Sequence, residues 1–218
     1  MENKKLDYKK EFKDLYSPKN QASLIDVPSM NFIMVDGEGN PNDESGEYQL
    51  AIELLYGLSY TIKMSKMKEF KPKGYFEYVV PPLEGLWWLK NNDMDFTQKN
   101  KYCWTSMIRQ PEFVTKEVFD WACAELKRKK PLIDSTKAYL ETFTEGLCVH
   151  VMHKGPFDEE PKTIEKIETF IKEKDLKNAI SKVGEDGNIK RHHEIYLSDF
   201  RKTKPEKMKT VLRHPVEY

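Results

Sequence analysis

Tyr48-Gln-Leu-Ala-Ile-Glu-Leu-Leu-Tyr-Gly-Leu-Ser-Tyr-Thr-Ile-Lys-Met64 sets the frame for reading the whole chain. Ala51, Leu54, Leu55, Leu58 and Ile62 make one apolar stripe at helical spacing, and Ile52, Tyr56 and Tyr60 line an adjacent face. Upstream, Asn31-Phe-Ile-Met-Val-Asp36 is β-branched and apolar and stops at Gly37-Glu-Gly39-Asn-Pro41, which reads as strand, then loop. Downstream, residues 74–89 read as a strand with a Pro-Pro break at 81–82, and residues 101–108 as another closed by Gln110-Pro111.

The same order returns in the second half. Lys137 to His153 reads as a strand pair or one bent strand broken near Glu145-Gly146. Glu160 to Lys174 reads as a helix with Pro161 suited to its first turn, and Arg191–Ser198 and Lys207–Pro215 as strands. Between the halves, Thr115 to Lys130 is a helix with Thr115 as N-cap and Pro131 past its end. Identity between the halves is negligible, so the repeat is one of pattern. The expectation is an α+β fold of duplicated strand–helix–strand–strand modules: antiparallel curved sheets, helices on the outside, and a pocket between the halves. In domain terms, residues 1–30 form a polar N-terminal arm, a short helix or extended, and 31–218 one domain of two pseudo-repeats, 31–112 and 137–218, joined by the helix at 115–130. Ligand sites favour such junctions.

Composition excludes several classes. With 26 aromatics in 218 residues, the chain can build a large core and is not disordered. Its 36 Lys plus Arg against 36 Asp plus Glu give no basic excess for nucleic acid. The run Lys127–Lys130 reads as the solvated last turn of a helix. Cys103, Cys123 and Cys148 form no CxxC pair, the start MENKKLDYKKEF has no apolar leader, and no apolar run reaches about 18 residues. A cytoplasmic protein without membrane partner follows, monomeric or weakly dimeric. No HxH or HExxH occurs, so no metal site or cofactor is expected, and no GxSxG, phosphate loop or Rossmann fingerprint is present.

Arg191-His-His-Glu-Ile-Tyr-Leu-Ser-Asp199 carries the chemistry. Strand alternation puts His192, Glu194 and Tyr196 on one face and His193, Ile195 and Leu197 on the other. If aromatics enclose the first face, Glu194 loses hydration and its pKa rises. It could then meet a cation or serve as general base. The alternative is an edge strand whose polar face meets water. Trp87, Trp88, Trp104 and Tyr56 are candidate ligand walls, although each ring has a core reading as well. Parity with Glu84 favours Trp88 over Trp87 if the strand is regular. Tyr60, Met107, His150 and Phe157 complete the candidate set.

Seven stretches in register resemble the GyrI-like family, from about residue 8 onward. They are Phe32-Ile-Met-Val-Asp-Gly-Glu-Gly-Asn-Pro41, Tyr48-Gln-Leu-Ala-Ile-Glu-Leu-Leu-Tyr56, Pro81-Pro-Leu-Glu-Gly-Leu-Trp-Trp88 and Trp104-Thr-Ser-Met-Ile-Arg-Gln-Pro111. The later ones are His153-Lys-Gly-Pro-Phe-Asp-Glu-Glu-Pro161, His192-His-Glu-Ile-Tyr-Leu-Ser-Asp199 and Lys209-Thr-Val-Leu-Arg-His-Pro-Val216. The resemblance implies a pocket between duplicated modules, and Glu194 matches the position of a buried glutamate that meets hydrophobic cations in related drug-sensing domains. Residues 1–30 are too short for a fused helix-turn-helix. Some free-standing relatives look like hydrolases that open the cyclopropane ring of DNA-alkylating natural products. Two departures stand out: Phe157, where Tyr is common after Gly-Pro, and Phe200, where Pro is common after Ser-Asp.

Three readings follow. A binding module would hold hydrophobic, planar or cationic aromatic small molecules between rings, with Glu194 meeting the charge. A hydrolase would use the same pocket, Glu194 with Tyr196 or Tyr56 activating water. A gyrase-inhibitor-like domain would instead act through a protein surface.

Overall fold

The computed structural model describes residues 5–68, 70–90, 98–184, 187–199 and 201–218, so Phe200 lies outside the described residues. They group into two compact units. The first takes residues 5–8, 30–83 and 88–143, and the second takes 9–29, 84–87 and 144–218. The chain is mixed α and β with antiparallel strands, as the patterning leads one to expect.

In the first unit, β2 (Met30–Glu38) lies between β4 (Tyr102–Arg109) and β5 (Ala138–Phe143). Ile33 stands opposite Ile108 on one side and Leu140 on the other. The helix read from the Tyr48 stretch is α3 (Glu47–Lys63), and its stripe of Ala51, Leu54, Leu55, Leu58 and Ile62 is buried against β2 and β4. Burying each large aliphatic chain contributes roughly 1.5–3 kcal/mol, which exceeds any propensity term in this helix. Helix α4 (Lys116–Lys129) packs on α3 and opens on Thr115, whose side chain accepts from Val118 N at 3.4 Å. Gly37 in β2 is required by packing. A Cβ there would sit 2.3 Å from the Trp104 ring.

The second unit is the strand series β1 (Ser23–Val27), β6 (Gly146–Lys154), β9 (Lys209–Glu217) and β8 (His192–Tyr196), with β7 (Lys177–Asn178) also paired to β9. Beside β8 run Glu84–Trp87, the part of β3 (Leu83–Leu89) that belongs to this unit. Helix α5 (Glu160–Glu173) lays Ile167 and Ile171 on Val149, Val151 and Leu212, the core of the unit. Three side chains abreast on the opposite face, His150, Arg213 and His193, are set by the register across β6, β9 and β8.

One segment differs from expectation, and two others settle or extend it. The strand expected over 74–89 is confined to Leu83–Leu89. Pro81 and Pro82 lack the N–H that a ladder needs, and before them only Tyr78 makes an isolated bridge, to Leu6. Of the two readings of residues 137–153, two strands broken near Glu145-Gly146 is the one formed, and the strands pair elsewhere, β5 with β2 and β6 with β1 and β9. The N-terminal stretch, read as a short helix or extended arm, holds two one-turn helices, α1 (Tyr8–Glu11) and α2 (Lys13–Tyr16), and also strand β1, which was not expected. Ser23-Leu-Ile-Asp-Val27 gives little sequence signal because it is an edge strand with Leu24 and Asp26 exposed.

Candidate functional site

Strand β8 presents ionisable groups on both faces, and the alternation assigned from sequence holds in both directions. On the face covered by α5, His192 and Glu194 are largely enclosed, their side chains 17% and 13% exposed, and His192 Nε2 lies 3.1 Å from Glu194 Oε1. The other ring nitrogen, Nδ1, is 2.8 Å from His214 Nε2 on β9. His214 Nδ1 in turn lies 3.4 Å from Glu168 Oε1 on α5. Burial, with His192 beside it, pushes the His214 pKa down against the pull of Glu168.

Glu160, the first residue of α5, completes the cluster. Its carboxyl is buried, and the ligand atoms of Glu160, His192 and Glu194 all lie within 4.8 Å of one another. Burial drives the Glu160 pKa well above the ordinary carboxylate range, and the Glu194 and Asp158 charges add to the rise. Glu160 is thus the acid on which burial acts here, and the sequence reading did not single it out.

Rings flank the cluster on the same face. Trp87 Nε1 donates to Tyr196 Oη at 2.8 Å, and the Phe157 ring meets Tyr196 edge-on at 5.9 Å. Gly85 makes room for this pair, since a Cβ there would sit 2.7 Å from Trp87 Nε1 and 3.2 Å from Tyr196 Oη. Phe157, the departure from Tyr, places a ring edge against Tyr196 and brings no hydroxyl.

The opposite face is a closed network of charges. His193 lies between two carboxylates, with Nε2 3.1 Å from Glu84 Oε2 and Nδ1 3.0 Å from Glu145 Oε2. Arg213 donates to the same Glu145 oxygen at 2.8 Å and to the Leu15 carbonyl at 3.0 Å, and Tyr16 donates to Glu84 at 3.4 Å. All four charged side chains are buried, and two positive groups face two carboxylates. Burial alone would raise Glu145, but His193 and Arg213 hold it down at about 2. Burial alone would lower His193, but Glu145 and Glu84 hold it up at about 9. His150 alongside is pushed down to about 4 by burial and by Arg213.

The predicted site residues thus sort by place. Glu194, Tyr196, Trp87 and Phe157 come together on one face of the second unit. Glu84 and His150 belong to that unit's opposite face, so Glu84 and Glu194 do not share a surface. Tyr56, Tyr60, Trp88, Trp104 and Met107 belong to the first unit. There, Tyr56 stacks on the exposed Tyr60 at 6.3 Å, Trp88 is half-buried, and Trp104 and Met107 are fully buried, with Trp104 edge-on to Tyr48 at 5.1 Å. A groove of about 490 Å³ in the second unit, lined by Ser17, Lys19, Met152, Leu197 and Lys209 among others, contains no acid and none of these rings.

Sequence reasoning missed Glu160, Glu145, His214 and Glu168. Glu145 falls at the break between two strands, and Glu160 and Glu168 read as the charged face of an amphipathic helix. Only His214 could have been suspected, on the face of its strand shared with Leu212.

An antiparallel sheet with a covering helix, carrying a largely enclosed carboxylate, is the frame in which the family match falls. The GyrI-like small molecule binding domain matches residues 21–217, and the chain belongs to that family. It is similar to a Listeria innocua protein described as a hydrolase, 48% identical over 98% of this chain and 100% of that one, with a TM-score of 0.86. It is also similar to a conserved protein of Listeria innocua, 49% identical with the same coverage and a TM-score of 0.89. The C-terminal domain of EcmrR shares the fold at 14% identity and a TM-score of 0.51, covering 90% of this chain and 97% of that one. No curated protein matches. Among the described residues, no helix is long and apolar enough to cross a membrane.

Proposed function

We propose that this GyrI-like domain binds planar, hydrophobic, cationic small molecules at the α5-covered face of β8. Glu194 meets the positive charge, and Trp87, Tyr196 and Phe157 supply flat apolar contact. The observation that carries this reading is the partial enclosure of Glu194 beside the Trp87–Tyr196–Phe157 rings. A carboxylate removed from most of its water attracts a cation more strongly than a solvated one, and ring faces add to that attraction through their quadrupole.

A hydrolytic reading extends the first and is favoured by the relative described as a hydrolase. In it, Glu194 takes a proton from water as the water attacks a strained electrophilic carbon, such as a cyclopropane carbon of an alkylating agent. Ring opening carries the electron pair onto the leaving fragment, which is then protonated. Ring strain lowers the barrier, so positioning plus general-base help of about 100-fold suffices.

Titration with a fluorescent planar cation and turnover of a cyclopropane-bearing alkylator test both readings on wild type and Glu194→Gln. Binding weakened about tenfold or more in the variant supports the binding reading, while equal binding by both proteins refutes it. Turnover by wild type that is lost in Glu194→Gln supports the hydrolase. No turnover by wild type leaves a binding protein alone.

A further inference from the structure

We propose that Glu160, His192 and Glu194 form a site for one divalent transition-metal ion, held in orientation by His214 and Glu168. The two carboxylates and the imidazole come from two elements of the second unit, with ligand atoms within 4.8 Å of one another. Metal–ligand distances of about 2.0–2.2 Å require ligand atoms roughly 3–4 Å apart, so inward side-chain rotations of about an ångström assemble the shell. His192 Nε2 and Glu194 Oε1, at 3.1 Å, already have that spacing.

The relay behind His192 fixes which nitrogen faces the cluster. His192 Nδ1 is taken up by His214 Nε2 at 2.8 Å, so Nε2 is the nitrogen left to face the cluster, and Glu168 Oε1 lies 3.4 Å behind on His214 Nδ1. Glu160 adds an independent sign. Its Oε1 is buried without a hydrogen-bond partner among the described residues, in a carboxyl that belongs to this cluster. One cation satisfies all three groups. A carboxylate–imidazole–imidazole series behind a ligating histidine also suits the outer shell of metal sites, where it orients the ring and raises its basicity. Mixed carboxylate and imidazole donors select Zn²⁺, Mn²⁺ or Fe²⁺ over Ca²⁺.

The proposal shares Glu194 with the proposed ligand site but does not depend on it. Metal and organic cation would occupy one position and compete. The test uses the tag-free full chain, stripped with chelator and titrated with Zn²⁺ by calorimetry and with Co²⁺ by visible absorption. The expected result is one equivalent per chain, weakened more than about tenfold in Glu160→Gln and His192→Ala and by roughly tenfold in Glu168→Gln. Binding unchanged in the first two variants, or no saturable equivalent in wild type, overturns the site. Should a variant fail to fold, X-ray absorption of Zn²⁺-loaded wild type decides. A shell of oxygens with a single imidazole upholds the proposal, and sulfur ligation or no imidazole overturns it. Fluorescent-cation binding by metal-free wild type is recorded separately, so the failure of one reading is distinguishable from that of the other.

Discussion

The two faces of β8 hold nearly the same residue types and do opposite things with them. On one, His193 and Arg213 match Glu84 and Glu145 in a closed set of buried charges with its partners in place. On the other, a buried Glu160 joins a partly exposed His192 and Glu194 on the strand face that also carries Tyr196. A balanced buried network has little capacity left for a ligand and holds the fold, because removing one member strands a charge. A partly open cluster that includes an unpartnered buried acid oxygen is where a cation gains most.

The sharpest way to break this comparison is to remove one charge from each side. Arg213→Met leaves Glu145 without its guanidinium and should cost about 3–5 kcal/mol in urea unfolding. Glu194→Gln, on the open side, should change stability by no more than about 1 kcal/mol, since a neutral amide still bonds to His192. Equal losses would mean that the open face is also structural.

Next in size is the pH dependence. His193 is held up at about 9, so its contribution is complete below its unfolded value near 6.5 and disappears as pH rises toward 9. Glu145, held down at about 2, contributes above about 4.5 and loses that contribution as acid approaches 2. His150, kept neutral down to about 4, withdraws stability as pH falls from 6.5 toward 4. Stability should therefore peak near pH 6.5, with an alkaline decline of roughly 3 kcal/mol by pH 9. His193→Gln should flatten that alkaline arm in denaturation measured at several pH values. An unchanged arm would show that other groups set it.

Smaller effects sharpen the picture of the ring wall. Gly85→Ala should displace Trp87 from Tyr196 and shift tryptophan emission, weakening planar-ligand binding several-fold with the fold retained. Tyr196→Phe removes the acceptor for Trp87 Nε1 and should cost about 1 kcal/mol in thermal unfolding. If neither variant changes ligand-induced quenching, the rings are packing alone.

Local periodicity carried much of this reading. The stripe of α3, the Thr115 cap of α4, the Pro161 start of α5 and the alternation of His192, Glu194 and Tyr196 against His193 and Ile195 follow from residue spacing. Each depends only on neighbours within a turn or a strand. The Pro-Pro break at 81–82 was legible too, although its full effect on 74–80 was underestimated.

What the chain by itself determined was which residues share a face; which faces meet was decided by tertiary structure. Glu160 lies 34 residues before Glu194, Glu145 stands 68 before Arg213, and β1 pairs with a strand more than a hundred residues away. No repeat or motif marks such pairs, because their proximity comes from sheet register and helix docking. The same docking desolvates a carboxyl that, read along the sequence, is one more acid on a helix surface.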